Sequence, residues 1–374
     1  MTARLVLAGL GHAHLFVLEA LARGRFEDIE VVLCTGETAH VYSGMLPGWL
    51  AGRYPREALT LDVTRLCERA GARHVAHHVQ ALDAPARTVT LANGETLSWD
   101  VCSLAVGSQP AALEVPGVRA HAVSLKPMLQ TGTLPARLDA LVARGGGAIV
   151  VVGAGLAGLE VALALRARMR AAGITPDRAP ITVLDAAFTL IPDRAPALAR
   201  RLRRACARHA ITLQLGVRVR EVEAAVVHTE HGEAISSDLT LWATGPAAPA
   251  WLAQSGLPVD ARGFLLVDDA LRSTGASHVF AAGDVATLAS APDTPRSGVY
   301  AVRMGPVLAS NLAAVARRTS DVVSFRPQRH ALVLVNTGDG RAIASRGRWA
   351  LEGAWAMWWK DAVDRAFMAR WRRV

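Results

Sequence analysis

Ala148-Ile-Val-Val-Val-Gly153-Ala-Gly155-Leu-Ala-Gly158-Leu-Glu160 is the stretch that decides the fold. Five apolar residues in a row suit a strand covered on both faces. Three glycines follow at once in the Gly-x-Gly-x-x-Gly spacing, and Leu159 to Met169 continues at helical period. Strand, glycine turn and helix in that order open a dinucleotide-binding unit: Gly153 permits the tight turn, Gly155 lets backbone approach a pyrophosphate, and Gly158 lets helix pack on strand. The helix start then meets the phosphate charge with free N–H groups and its positive dipole end. Ile181-Thr-Val-Leu-Asp185 supplies the next strand. A carboxylate at its end accepts from ribose hydroxyls and repels a 2′-phosphate, so Asp185 favours NAD(H) over NADP(H), with Arg194 nearby pulling the other way.

The same pattern stands at the N-terminus. Arg4-Leu-Val-Leu-Ala8 runs into Gly9-Leu-Gly11-His12-Ala-His14, Leu15 to Arg23 reads as a helix, and Ile29 to Cys34 is the next strand. His14 occupies the third glycine's place. His12 and His14, at a phosphate-binding helix start, read either as acid–base groups or as capping and hydrogen-bonding residues. Glu37, just beyond Cys34-Thr35, reads as a ribose partner or as solvated charge. One chain thus carries two nucleotide-type units.

Composition agrees with a large globular chain. Its 374 residues suit roughly two to three structural units, and 51% hydrophobic with 20% charged residues excludes disorder and low-complexity character. The formal charge of +9 rests almost wholly on arginine, since Lys126 and Lys360 are the only lysines. The arginines are scattered rather than clustered, and no nucleic-acid partner is expected. Cys34, Cys67, Cys102 and Cys206 form no CxxC pair and no metal-ligand spacing, so buried thiols and no metal are expected. The N-terminus lacks a secretory pattern. No stretch appears as long and continuously apolar as a membrane span, the nearest approach, 149–165, containing Glu160. The expectation is a cytoplasmic protein.

Between the units lie strand candidates at 74–81, 88–91 and 101–106, with the hairpin signal Asn93-Gly94. A helix is expected from Pro55 to Ala70, an arginine-rich helix from Pro196 to Ala210, a long helix over 302–317, and a hairpin around Thr337-Gly-Asp-Gly340. Tyr42-Ser-Gly-Met-Leu-Pro-Gly48 reads either as an exposed loop lining a flavin or as a turn.

Two glycine fingerprints, Ala105-Val-Gly107, Ala243-Thr-Gly245 and the late Phe280-Ala-Ala-Gly283-Asp284 together resemble the pyridine nucleotide-disulfide oxidoreductase superfamily, the two-dinucleotide-binding flavoproteins. The resemblance implies an α/β fold with two Rossmann-like domains: an FAD domain from 1–120 and 246–320, an inserted NAD(H) domain at 121–245, and a C-terminal cap at 321–374. It places FAD at Gly9, Gly11, Gly107, Gly245, Gly283 and Asp284, with Asp284 near the ribityl or pyrophosphate part. Tyr42–Gly48, Arg296-Ser-Gly298-Val-Tyr-Ala-Val-Arg303 and Leu334 to Ser345 are similar to a narrower group. These are the NADH dehydrogenase-like flavoproteins associated with selenide, water dikinase, related to type II NADH:quinone dehydrogenases and sulfide:quinone reductases. By that likeness Gly298 and Arg303 lie near the flavin. Arg296 stands where relatives carry Lys and would stabilise the reduced flavin at N1, or is a surface arginine. Glu160 resembles the Glu of a GxGxxGxE form and would hold the nicotinamide or ribose, or make an interdomain hydrogen bond.

The expected reaction is ping-pong transfer of electrons from NADH through FAD to a small acceptor, a quinone for preference. Two alternatives stay open, oxidation of a sulfide- or selenide-like species and a non-catalytic FAD-binding redox sensor. The tail holds five of the nine tryptophans, Trp349, Trp355, Trp358, Trp359 and Trp371. Trp355, Trp358, Trp359, Ala362, Val363, Ala366, Phe367 and Trp371 make one helical stripe, with Lys360 and Arg365 outside it. That stripe reads as a peripheral contact on the inner face of the plasma membrane, or as a surface packed on the catalytic domain or in a homodimer, with packing preferred.

Overall fold

The computed structural model describes residues 3–126, 133–319 and 321–373. The strand Ala3–Ala8 lies between two parallel neighbours: Leu5 stands opposite Val31 on one side and Val101 on the other, and Ala8 opposite Cys34 and Leu104. All three strands end in four buried residues or are buried throughout, as expected of strands covered on both faces. The chain then leaves this sheet and returns with Leu265–Val267, Arg272–Ser273 and Ala276–Ala281, the last parallel to Val101–Leu104, within an eight-stranded sheet.

The excursion between builds a second, five-stranded parallel sheet in the order Ala122–Ser124, Leu239–Trp242, Ile149–Val152, Ile181–Asp185, Ile211–Leu215. The chain crosses between the sheets as an antiparallel pair, Gln109–Pro110 against Pro246–Ala247. Leu113, Val115 and Val118 already pack with Val150, Leu184 and Trp242 of the second sheet. The first crossing therefore precedes the expected boundary at 120, and residues 127–132, within the expected NAD(H) domain, lie outside the described residues. Trp242 Nε1 and Thr244 Oγ1 both donate to the carbonyl of Ala111, at 2.9 and 2.7 Å, tying the crossing strands together. The Asn93-Gly94 turn joins antiparallel strands Thr88–Leu91 and Thr96–Ser98, Gly94 taking a left-handed φ of 87° that suits glycine.

Three local expectations are corrected. The helix expected from Pro55 is confined to Val63–Ala70, because Thr60–Asp62 pairs with Ala39–Val41 and the Asp62 carboxylate caps the helix by accepting from Arg65 N at 2.8 Å. Tyr42–Gly48 is no exposed loop: it forms two short helices, Ser43–Met45 and Leu46–Leu50, with Met45, Leu46 and Pro47 buried. The long helix Gly298–Ala316 has the length and hydropathy of a membrane span, yet more than half of it is buried inside the protein. It packs on the first helix, His12–Ala22, where a Cβ at Gly305 would sit 2.2 Å from the Phe16 ring. Its apolarity serves that contact inside the protein.

The C-terminal cap is a three-stranded antiparallel sheet, Val333–Asn336, Ala342–Arg346 and Trp349–Gly353, followed by helix Ala354–Trp371. This helix buries Met357, Lys360, Asp364, Met368 and Trp371 and leaves Trp355, Trp358, Trp359 and Val363 exposed. The tryptophan stripe expected to pack is thus mostly turned outward, and Lys360, expected outside the packed face, is buried. Trp371 and Phe367 are the exceptions: Trp371 is set edge-on against Phe16 with ring centroids 4.7 Å apart, and Phe367 stacks on Tyr42 at 4.4 Å. Arg370 reaches the Glu19 carboxylate at 2.6 Å.

Candidate active site

The carboxyl ends of the parallel strands in both sheets open on one cleft of about 2170 Å³ that runs from the first glycine turn to the second and out past the cap. Ligands of open α/β sheets bind at such strand ends. Gly9, Gly11, His12, Glu37, Gly107, Gly153, Gly155, Glu160, Asp185, Gly245, Gly283, Asp284, Arg296 and Gly298 all line it. Gly158 and His14 do not.

Gly158 has the packing task read from its spacing: a Cβ there would lie 2.0 Å from the carbonyl oxygen of Gly153. Gly11 is equally closed, since a Cβ would lie 2.5 Å from the Ala105 carbonyl. At His14, expected to touch cofactor, the ring is fully buried between helix and sheet, with Nδ1 2.6 Å from the Gly9 carbonyl and Nε2 2.9 Å from Ser103 Oγ. Both ring nitrogens are engaged inside the protein, so His14 locks the first helix to the sheet. The helix N-terminus remains open to the cleft.

His12 is placed differently. Half-buried, its ring lies beside His40, Tyr42 and Phe367, and Nε2, itself shielded from solvent, has no hydrogen-bond partner. Burial pushes its pKa down to about 4, Asp284 opposing and Lys126 adding to that shift. It is a neutral imidazole near neutral pH. His40 is pushed down to about 3 by burial and by His12.

Asp284 sits on a turn whose Gly283 has φ 80°. Its carboxylate is 2.6 Å from Lys126 Nζ and accepts from Ser108 Oγ at 3.1 Å. Glu37 accepts from Thr35 Oγ1 at 2.5 Å while facing the cleft. Asp185 accepts from Ala154 N at 2.5 Å and Ala187 N at 2.8 Å, so the acidic strand end also braces the second glycine turn.

Arg296 departs from its expected task. Its guanidinium lies 3.5 Å over the Phe264 ring and 3.4 Å from the Asp260 carboxylate, and its side chain is 6% exposed. Its Nε donates to the Asp284 carbonyl at 3.1 Å. With its charge met by Asp260, it clamps the Asp284 turn from behind, and Lys126 is the cation at that turn.

Glu160 accepts from Asn336 N at 2.7 Å and lies 3.9 Å from Lys360 Nζ. Burial raises its pKa, with Lys360 opposing. Burial disfavours the Lys360 ammonium, but Glu160 and Asp364 outweigh it and hold its pKa above the usual value. Lys360 Nζ also donates to the Gly44 carbonyl at 2.7 Å and lies 3.0 Å from Asp364, which accepts from Tyr42 OH at 3.0 Å. One buried ammonium thereby joins the short helix Ser43–Met45, the helix of the second unit and the cap. Sequence reasoning missed Lys126 and Lys360 as site residues. A signal existed, because the chain's only two lysines both line this cleft.

The four cysteines are buried and free. Burial raises the thiols of Cys34 and Cys67 to about 11, that of Cys206 to about 12, and that of Cys102 further. Only Cys34 lines the cleft. Among the described residues there is no disulfide, and no group of His, Cys, Asp or Glu able to hold a metal ion.

The family described as pyridine nucleotide-disulphide oxidoreductase matches residues 3–305. An NADH dehydrogenase-like protein of Mycobacterium tuberculosis is 28% identical over 299 residues, covering 76% of this chain and 72% of its own. A type II NADH:quinone oxidoreductase of the same organism is 27% identical over 331 residues, covering 80% and 70%. Among solved structures, NDH2 of Plasmodium falciparum in complex with NADH superposes with a TM-score of 0.84 at 12% identity, covering 99% of this chain and 97% of that one. The sulfide:quinone oxidoreductase of Aquifex aeolicus gives 0.82 at 18% identity, covering 99% and 92%.

Proposed function

Because the chain belongs to the pyridine nucleotide-disulphide oxidoreductase family, we propose that it is an FAD-dependent enzyme that oxidises NADH and reduces a quinone. The balanced change is NADH, one proton and quinone to NAD+ and quinol. The observation that carries this reading is the single cleft joining two glycine turns, each at a helix N-terminus, to an apolar mouth.

The residues present fit a flavin dinucleotide. The cradle at Gly11 is one that a side chain would fill, and His12 Nε2 is a buried polar atom without a partner at that helix start. Bound there, FAD supplies two-electron acceptance from a hydride and donation to a quinone. Gly9, Gly11 and the N-terminus of His12–Ala22 would hold its pyrophosphate, Glu37 a ribose, and Asp284 with Lys126 the ribityl end. Gly153, Gly155 and the N-terminus of Leu156–Ala171 would hold NADH, with Asp185 at its ribose. Arg296 acts from behind as a positioning residue.

Where the cleft meets the cap, Leu332, Leu334, Trp359, Val363 and Phe367 line its mouth, Phe367 reaching in beside His12. An apolar mouth suits a quinone and keeps water from the reacting atoms. Trp359 and Val363 belong also to the exposed face of the last helix, with Trp355 and Trp358. Such a face, next to arginines, favours a peripheral contact with an anionic bilayer, from which a lipid-soluble acceptor reaches the mouth directly.

Denaturing release followed by chromatography tests the cofactor, with about one FAD per chain expected. Anaerobic NADH should bleach the flavin absorbance and a short-chain quinone restore it. FMN or no flavin in reconstituted protein sinks the cofactor assignment, and bleaching without reoxidation by any quinone sinks the acceptor.

A further inference from the structure

The counter-charge of Asp284 comes from the other sheet. Asp284 follows strand Ala276–Ala281 of the first sheet, whereas Lys126 follows strand Ala122–Ser124 of the second. Their ion pair at 2.6 Å spans the place where the chain itself crosses, because Ser108 stands just before the crossing strand Gln109–Pro110. Lys126 Nζ donates to Ser108 Oγ at 3.1 Å, and that hydroxyl donates onward to Asp284 at 3.1 Å. Both bonds to the carboxylate fall on Oδ2. Among the described residues no donor meets Oδ1, which leaves that oxygen for a hydroxyl of a ligand.

The two charges are unequally placed. The Asp284 side chain is 12% exposed and that of Lys126 41%, so the deeper carboxylate is the group that needs a counter-charge. Among the described residues Lys126 is its only ion-pair partner. Arg296, at the same turn, is paired with Asp260 and reaches Asp284 only through the main-chain carbonyl. The pair also bears on the open cleft, since Asp284 and Lys126 both act on the His12 imidazole at the first glycine turn. A flavin dinucleotide is itself an anion, and accepting a hydride adds one more negative charge to it. A bare carboxylate alongside would oppose both.

We propose that Lys126 is a positioning residue for the flavin: by neutralising Asp284 from the second sheet, it raises the reduction potential of the bound cofactor. The inference rests on the flavin reading above, and it gives Lys126 the electrostatic task that the sequence suggested for Arg296. Lys126 acts through Asp284 and not on the reacting atoms. Because the ammonium is carried by the sheet of the NAD(H) unit, the potential is tied to how the two sheets are set against each other.

Anaerobic titration of the holoprotein against indicator dyes reads the midpoint potential. Lys126→Met leaves the carboxylate bare and should shift the reduction equilibrium about tenfold toward oxidised flavin, a fall of about 30 mV for a two-electron couple. Asp284→Asn leaves the ammonium bare and should raise the potential. Lys126→Met with Asp284→Asn removes both charges and should return close to wild type, and Lys126→Arg should stay there. Opposite shifts that cancel in the double variant are a signature that a merely structural role does not produce. The control Arg204→Gln removes one exposed charge from the helix Pro196–Arg208 and should leave the potential unchanged. If Lys126→Met sheds its FAD, recovery of FAD binding in the double variant supports the charge balance, and loss in both overturns it. Single variants that shift the same way, that leave the potential unchanged, or that shift no more than Arg204→Gln also overturn the proposal. Wild type that binds no FAD, or whose flavin NADH does not bleach, sinks the underlying flavin reading instead.

Discussion

Asp185 shows how one side chain carries two tasks. Its oxygens brace the glycine turn through Ala154 N and Ala187 N, yet a carboxylate keeps acceptor capacity beyond two bonds. Asp185→Asn removes the charge that opposes a 2′-phosphate. It should narrow the kcat/KM preference for NADH over NADPH by roughly five- to thirty-fold, equivalent to about 1 to 2 kcal/mol. Equal wild-type kcat/KM for the two nucleotides would contradict the assignment. His12, His14 and His40 form a second residue-scale case, the last two buried and His12 half-buried at the cleft, with pKa values pushed down to about 4, 4 and 3. The unfolded chain binds protons at these groups near pH 6.5 and the folded chain does not. Their contribution is therefore complete above that pH and is lost as pH falls from about 6.5 toward 4, at roughly 1.4 kcal/mol per pH unit for each group. Urea midpoints should fall between about pH 7.5 and pH 5, and the fall should shrink in His14→Asn, which cannot gain that proton. A flat profile would mean that these imidazoles charge inside the fold. Glycine spacing made Gly153, Gly155 and Gly158 legible in the sequence. His14 was not, because its hydrogen bond to Ser103 joins residues far apart in the chain.

The last helix illustrates what an element does when its polar pair is buried and its tryptophans are not. Lys360 and Asp364 stand one turn apart and face inward, where Glu160, Gly44 and Tyr42 meet them. Removing one member of a buried charge cluster strands the rest. Lys360→Met should cost about 3 to 5 kcal/mol in chemical denaturation. Lys360→Met with Asp364→Leu should cost less than the single change, and a double-mutant cycle measures the difference. Simple additivity of the two losses would show that the pair does not act as a unit. Helical period located this element correctly from Trp355 to Trp371. The packed face was misread because apolar character usually marks the buried side, whereas here Lys360 and Asp364 share that side with Met357, Met368 and Trp371 while Trp355, Trp358 and Trp359 take the outside. The same reasoning explains the segment after the second strand. Tyr42–Gly48 reads as a loop in isolation, and the cap and the second unit's helix give it a buried setting.

At the scale of the whole molecule, the cap closes a cleft that the two nucleotide units leave open. Trp359, Val363 and Phe367 are wall, Trp371 packs on Phe16 of the first helix, and Arg370 pairs with Glu19. Deleting residues 354–374 should therefore lower thermal stability, since each fully buried large side chain lost removes about 1.5 to 3 kcal/mol. It should also raise KM for a short-chain quinone more than KM for NADH, because the missing wall lies at the mouth and not at the second glycine turn. Unchanged stability with unchanged quinone kinetics would deny the helix both roles. Local sequence determined the two strand–turn–helix units, the later Gly283-Asp284 turn and the existence of a helical tail, because each is set by periodicity or by backbone conformations available chiefly to glycine. Only the tertiary structure decided that Lys126 meets Asp284, that Arg296 is neutralised by Asp260 behind the site, and that Lys360 ties three separate segments together. Those pairings depend on which distant surfaces are brought into contact and what burial then demands of each charge. Neither spacing nor composition carries that information.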